Sequence, residues 1–236
     1  MDRLLILALE TSTGCGSIAL TRDEQLLAEV TLKPERVHSR RLLGTVSWLL
    51  EALGLAWQDL DGIGISMGPG SFTGLRIGLA AAKGLAMAAD LPLVGISSLD
   101  ALSLACMGHV GQVCPVLDAR KEEVYAALYE TPAPDRYPRR LCPDRAVRPE
   151  ELTASIDRPT LVAGPAVAIY EDVFRQNDYV EILSAPLAHP RALYVALLAR
   201  ERLLANELLD PALAVPEYVR ASEAEISLLE KKRKDQ

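Results

Sequence analysis

The stretch Met67-Gly68-Pro69-Gly70-Ser71-Phe72-Thr73-Gly74-Leu75-Arg76-Ile77-Gly78 constrains the fold more than any other part of the chain. An apolar run, residues 62–67, enters it and an Ala/Leu/Gly-rich run to about residue 89 leaves it. The order is therefore strand, tight turn, helix. Gly68 and Gly70 permit positive φ, and Pro69 fixes its own. Ser71 or Thr73 stands where a helix cap is needed. The free N–H groups of a helix start attract anions, but neither phosphate motif is present. A phosphate-cradling loop has Lys and then Ser or Thr after its last glycine, and here Gly74 is followed by Leu75-Arg76. The dinucleotide fingerprint G-x-G-x-x-G also fails, because Gly74 falls one residue late.

Gly74, Gly78 and Ala82 recur at every fourth position, so they line one face of the helix. A glycine inside a helix costs about 1 kcal/mol against alanine, and close packing is the natural compensation. The partner is an element of this chain, of a second copy or of another protein.

The 236 residues, half of them hydrophobic, suffice for one large or two small domains. Aromatic residues are few, so Leu, Val, Ile and Ala must build the core. A net charge of −7 argues against a protein that grips nucleic acid alone through phosphate contacts. Cys15, Cys106, Cys114 and Cys142 show no C-x-x-C spacing, and with three histidines no zinc signature can be written. They read as free thiols of a reducing compartment. Residues 4–9 are apolar but too few for a signal peptide, and no apolar run approaches ~18 residues. The expected location is cytoplasmic.

Residues 4–9, 17–21 and 26–32 read as three strands of an antiparallel meander. Leu42, Leu43, Val46, Leu49, Leu50 and Leu53 form a helical stripe over residues 39–53, with Ser39 as cap and Gly54 as stop. His38, Arg40 and Arg41 at its start oppose the helix dipole. A strand over 62–67, the glycine-faced helix and a strand over 91–96 complete a βββαβαβ order. The pattern then restarts. Strands are expected over 112–117 and 123–129, a Pro- and Arg-rich loop with one more strand over 131–149, and a short helix over 150–157. A strand over 161–163, a helix over 166–176, a strand over 180–183 and a long helix over 191–208 follow. The second half reads as a degenerate copy of the first.

Two half-sheets, each opening on a strand that ends in an acid, are the layout of the actin-like ATPases and sugar kinases. Glu10 and Asp118 would then face each other across a cleft, as in an independent nucleotide-binding phosphotransferase or hydrolase. The phosphate hairpins are degenerate, however: Glu10 is followed by Thr-Ser-Thr and Asp118 by Ala-Arg-Lys, whose Cβ atoms hinder phosphate approach. Ser71 is no serine-hydrolase nucleophile by motif, since G-x-S-x-G is absent. His38, His109 and His189 read as surface or loop residues, and no H-x-x-x-H or H-E-x-x-H is present.

Four segments resemble the TsaB (YeaZ) family: Leu7-Ala8-Leu9-Glu10-Thr11-Ser12-Thr13, the Gly68–Gly78 block, Asp118-Ala119-Arg120-Lys121-Glu122-Glu123-Val124-Tyr125, and Pro216-Glu217-Tyr218-Val219-Arg220. The resemblance runs to about Arg220 and rests mainly on G-P-G-S-F-T-G-L-R-I-G. It implies a two-lobed actin-like (ASKHA, ribonuclease H-like) α/β fold of duplicated βββαβα units. It implies a non-catalytic partner of the transferase TsaD in placing threonylcarbamoyl on N6 of the adenosine beside the tRNA anticodon. The ATPase TsaE joins the larger complex, tRNA is met only through that complex, and the lone protein forms homodimers. No cofactor, catalytic residue or metal site is implied. Ser98 and Leu102 stand where TsaD has metal-binding histidines, and no peptidase set is found. The implied partner face lies on the first two helices, at Arg40, Leu43, Trp48, Phe72, Gly74, Leu75, Arg76, Gly78, Leu79 and Ala82. The expected division is an N-terminal lobe over residues 1–105 and a C-terminal lobe over 106–220. Helix 191–208 is expected to pack back on the first lobe, ahead of a charged tail over 221–236 that ends in Lys-Lys-Arg-Lys-Asp-Gln.

Overall fold

β1 (Leu5–Glu10) is buried at every position, as a continuous apolar run requires. It pairs antiparallel with β2 (Gly16–Arg22), which pairs antiparallel with β3 (Gln25–Leu32). The computed structural model describes residues 3–32, 39–183 and 188–220, and of residues 39–41 the helical backbone alone. α1 (Ser39–Leu53) follows and stops at Gly54, whose φ of 64° is the left-handed geometry of a helix terminator. β4 (Gly62–Gly68) lies parallel to β1, α2 (Phe72–Ala89) follows the turn, and β5 (Leu93–Ser97) lies parallel to β4. The sheet order is β3-β2-β1-β4-β5.

After α3 (Ser98–Ser103) the same plan is repeated. β6 (Gly111–Arg120) and β7 (Glu123–Ala126) form a hairpin; β8 (Tyr129–Thr131), β9 (Arg139–Arg140) and β10 (Arg145–Val147) follow. α4 (Pro149–Ala154), β11 (Thr160–Ala163), α5 (Val167–Phe174), β12 (Val180–Ile182) and α6 (Ala192–Leu204) complete it. The second sheet runs β10-β7-β6-β11-β12, which matches the first strand for strand. β11 and β12 are parallel to β6, as β4 and β5 are to β1. The copy is reduced: α4 and α5 have 6 and 8 residues where α1 and α2 have 15 and 18.

The strand expected over 123–129 is broken. β7 pairs with β6 and β10, whereas β8 pairs with the start of β6 and with β9. The step between them lets one stretch serve two partners, and the Leu128 amide there donates to Cys142 Sγ at 3.2 Å. The loop over 131–149 holds two short strands rather than one.

Leu42, Val46, Leu49 and Leu50 of α1 join Leu79, Ala82 and Ala86 of α2 on one face of the first sheet. Each fully buried Leu there stabilises by about 1.5–3 kcal/mol. The other face is covered by α6, whose Ala192, Val195, Ala196 and Ala199 meet Ile6, Ala8, Val94 and Ile96. α3 in turn packs on the second sheet, with Leu99 and Leu102 against Val113, Leu117 and Tyr129. Each half thus lends its last helix to the other, which couples the two lobes.

Candidate functional site

The turn before α2 fixes how that helix is seated. Gly68 and Gly70 have φ of 119° and 156°, and a Cβ on Gly70 would overlap the Ser12 carbonyl. The Ser71 amide donates to that same carbonyl at 2.7 Å. Ser71 caps the helix by accepting from the Gly74 amide at 3.3 Å. The helix start is therefore clamped to the β1–β2 turn.

Gly74, Gly78 and Ala82, expected at the partner face, are buried against the chain itself. A Cβ on Gly74 would overlap the Thr11 carbonyl oxygen, and one on Gly78 would overlap Thr11 Oγ1 and lie 3.2 Å from Ile65 Cδ1. The stripe admits the β1–β2 turn. Leu75 and Leu79 are buried with it.

The solvent side of the two helices is a different set. Leu43 is 42% and Trp48 57% exposed on α1, and Met87 is 68% exposed on α2. Arg76, Ala80, Gly84 and Ala88 are exposed at four-residue spacing, with Phe72 half-buried at the helix start. Gly44 on α1 and Gly84 on α2 have nothing among the described residues within 4 Å of where a Cβ would sit. Of the residues expected at the partner face, Leu43, Trp48, Phe72 and Arg76 are accessible, while Gly74, Leu75, Gly78, Leu79 and Ala82 are not. The side chains of Arg40 and Arg41, together with His38 and Lys231 to Lys234, lie outside the described residues. Gly44, Ala80, Gly84 and Met87 are exposed as well, and the 76/80/84/88 spacing marks that line of α2 in the sequence.

A cleft of about 380 Å³ separates the lobes, lined by Ser12, Thr13 and Phe72 on one side and Asp118, Arg120 and Ile169 on the other. Glu10 does not line it. Its carboxylate is 1% exposed and accepts from the Ser12 amide. The pairing of Glu10 with Asp118 across a cleft is therefore not made; Asp118 instead accepts from the Arg120 amide at 2.8 Å and pairs with the Arg120 side chain at 3.3 Å. No group of three or more His, Cys, Asp or Glu among the described residues is arranged to hold a metal. Ser98 and Leu102 are buried on α3.

Burial pushes the Glu10 carboxyl above its ordinary value of 4.5, against hydrogen bonds from Ser12 and Ser66 that lower it. A raised folded-state value favours the protonated form. Its contribution to stability is full below pH 4.5 and is lost as pH rises through the folded-state value. Glu10→Gln has no such loss. In urea titrations from pH 4.5 to 8, the stability of Glu10→Gln minus that of wild type is expected to increase with pH. A difference that stays flat means that Glu10 is ionised in the folded protein.

A family model described as "TsaD: tRNA N6-adenosine threonylcarbamoyltransferase" matches residues 25–228. The tRNA threonylcarbamoyladenosine biosynthesis protein TsaB of Bacillus subtilis (strain 168) is 33% identical, over 98% of this chain and 100% of its own. The chain belongs to the TsaB family. YeaZ from Pseudomonas aeruginosa superposes with a TM-score of 0.79 at 30% identity, covering 91% of this chain and 99% of that one. The fold extends further: component A of (R)-2-hydroxyglutaryl-CoA dehydratase from Acidaminococcus fermentans gives a TM-score of 0.52 at 10% identity, covering 86% of this chain and 100% of that one. For this TsaB-family chain the two-lobed actin-like fold thus has its cleft in place. No described helix is long and apolar enough to cross a membrane.

Proposed function

We propose that the protein is a non-catalytic scaffold subunit that binds the TsaD transferase for threonylcarbamoylation of N6 of the adenosine beside the tRNA anticodon. TsaE joins the larger complex, tRNA is met through the complex, and the lone protein dimerises through the face used for TsaD. The protein works in the cytoplasm, with its lobes divided near residue 105. The names of its relatives support the pathway, and the buried Glu10 speaks for a scaffold over an independent phosphotransferase.

The observation that carries the docking role is the outward side of α1 and α2. Trp48 and Met87 stand exposed there beside Gly44 and Gly84, two helical glycines with open space around them. Each such glycine costs its helix about 1 kcal/mol and has no close contact among the described residues to offset it. A second helix lying against the pair recovers that cost through close approach, and exposed Trp is a frequent binding hot spot.

Gly84→Leu tests the reading. Leucine meets no atom within 4 Å at its Cβ, so the fold is expected to gain up to about 1 kcal/mol of helix propensity. Co-purification with TsaD of the same organism is expected to yield a complex for wild type and none for Gly84→Leu. A wild type that ignores TsaD overturns the scaffold role, and a variant that binds normally moves the interface elsewhere.

A further inference from the structure

Residues 209–220 form a strap that crosses from the first sheet to the second. The Leu209 amide donates to the Leu93 carbonyl at 2.8 Å, and the Glu217 amide donates to the Met67 carbonyl at 2.8 Å. Lys83 Nζ on α2 donates to the Ala214 carbonyl at 3.1 Å. Arg220 Nη1 reaches Glu123 Oε2 on β7 at 3.0 Å. Between these ties, the Tyr218 ring stacks on Phe72, with centroids 4.6 Å apart and planes at 22°.

Arg76 lies against this stack. Its Nε donates to Tyr218 Oη at 2.9 Å. Its guanidinium carbon is 6.0 Å from the Phe72 centroid and 5.7 Å from the Tyr218 centroid. The side chain is exposed, yet held by two rings and a hydrogen bond. Nη1 and Nη2 have no acceptor, and the charge no carboxylate partner, among the described residues. The first turn of α2 carries no acidic residue, so the positive end of the helix dipole adds to the same spot. In a protein of net charge −7 this is a local cationic point. It lies one helical turn before Ala80 and two before Gly84 on the same side of α2.

We infer that Arg76 is a preset anchor for an Asp or Glu side chain of the docking partner, with Phe72 and Tyr218 as its positioning residues. The inference rests on the docking role proposed above and names the chemistry of the partner at one end of that face. A guanidinium whose Nε is already engaged still presents its two terminal nitrogens, the fork that a carboxylate accepts in bidentate fashion. A guanidinium fixed before binding loses little side-chain freedom on docking. The partner's helix is therefore expected to be acidic opposite Arg76 and apolar opposite Gly84.

Calorimetric titration of full-length TsaD of the same organism into wild type, Arg76→Gln, Arg76→Lys, Tyr218→Phe and Gly84→Leu, at low and high salt, tests this. Arg76→Gln is expected to weaken binding about 30-fold or more, the size seen when one member of a desolvated charge pair is removed. Its affinity is also expected to depend less on salt than that of wild type. Arg76→Lys recovers little, since lysine lacks the fork and the ring stacking. Tyr218→Phe keeps the stack, releases Nε and gives an intermediate loss. Thermal melts of all variants exclude unfolding as the cause. If Arg76→Gln binds within twofold of wild type with an unchanged salt slope while Gly84→Leu fails to bind, the anchor is overturned and the docking role stands. If Gly84→Leu also binds normally, the anchor is overturned and the interface lies elsewhere.

Discussion

Gly74→Ala is expected to destabilise the protein by about 3 kcal/mol, a loss at the upper end for overpacking. In a chain of this size that lowers the melting temperature by roughly 6–12 °C. The sign is what makes the result informative. In an exposed helix the same exchange stabilises by about 1 kcal/mol, and Gly84→Ala, on the open side of the same helix, is expected to do so. At Gly74 the new methyl meets the Thr11 carbonyl oxygen. A backbone oxygen cannot rotate away as a side chain can. Either the β1–β2 turn or the start of α2 must shift. Glu10 at the end of β1 and Ser12 in that turn are both buried, and Ser12 holds the Ser71 amide. Paired melts of Gly74→Ala and Gly84→Ala measure the asymmetry directly. If both variants move in the same direction, α2 is not seated on the turn.

The same helix shows what was legible in the sequence. Spacing alone located α2, its cap and its line of small residues, because those follow from local geometry. It could not say which of two lines faced inward. Gly74, Gly78, Ala82 and Ala86 recur every four residues, and so do Arg76, Ala80, Gly84 and Ala88. In a helix built of Ala, Gly and Leu the apolar contrast between the faces is small. The approach of Thr11, more than sixty positions upstream, decides the matter. The meander, the parallel strands and the repeat of the plan were readable because residues 5–9 of β1 and 113–117 of β6 are continuous apolar runs. The break between β7 and β8 was not readable, since it depends on β10 pairing with β7 and β9 with β8. Nor was the strap legible by pattern: it is tied by isolated hydrogen bonds rather than by a ladder, so no periodicity marks it. Glu10 was read as an acid facing the cleft, and its burial beneath the turn again depends on tertiary packing.

Arg140→Met is expected to cost about 3 kcal/mol at neutral pH, because it takes the shared guanidinium from two largely buried carboxylates. Arg140 on β9 donates through Nε to Asp100 Oδ1 on α3 at 2.9 Å, through Nη2 to Ser97 Oγ at 2.9 Å, and through Nη1 to Asp144. Tyr129 Oη also donates to Asp100 Oδ1 at 2.9 Å, and Arg202 on α6 approaches Asp100 Oδ2 at 3.5 Å. The cluster therefore joins β5, α3 and α6 to β8 and β9, the junction of the two lobes. The side chains of Asp100 and Asp144 are only 20% and 13% exposed. Burial already pushes the Asp144 carboxyl above its ordinary 3.8, and the charge of Asp100 adds to that rise; Arg140 opposes both. Without the guanidinium, nothing from Arg140 opposes the rise of the Asp144 carboxyl. Breaking a buried pair from one side costs about 3–5 kcal/mol, and the partial exposure here places the loss at the lower end. The sign with pH follows from the raised folded-state value of Asp144: the penalty is small where that acid is protonated and grows as pH rises through that value. The loss is thus expected to be larger at pH 7.5 than at about pH 5. Arg158→Met provides the control, since the Arg158–Glu130 pair at 3.0 Å is 50% and 32% exposed and is worth no more than about 1 kcal/mol. If Arg140→Met costs no more than this control at either pH, the ionic cluster does not hold the lobes together. The exchange of α3 and α6 between the sheets would then carry that role alone.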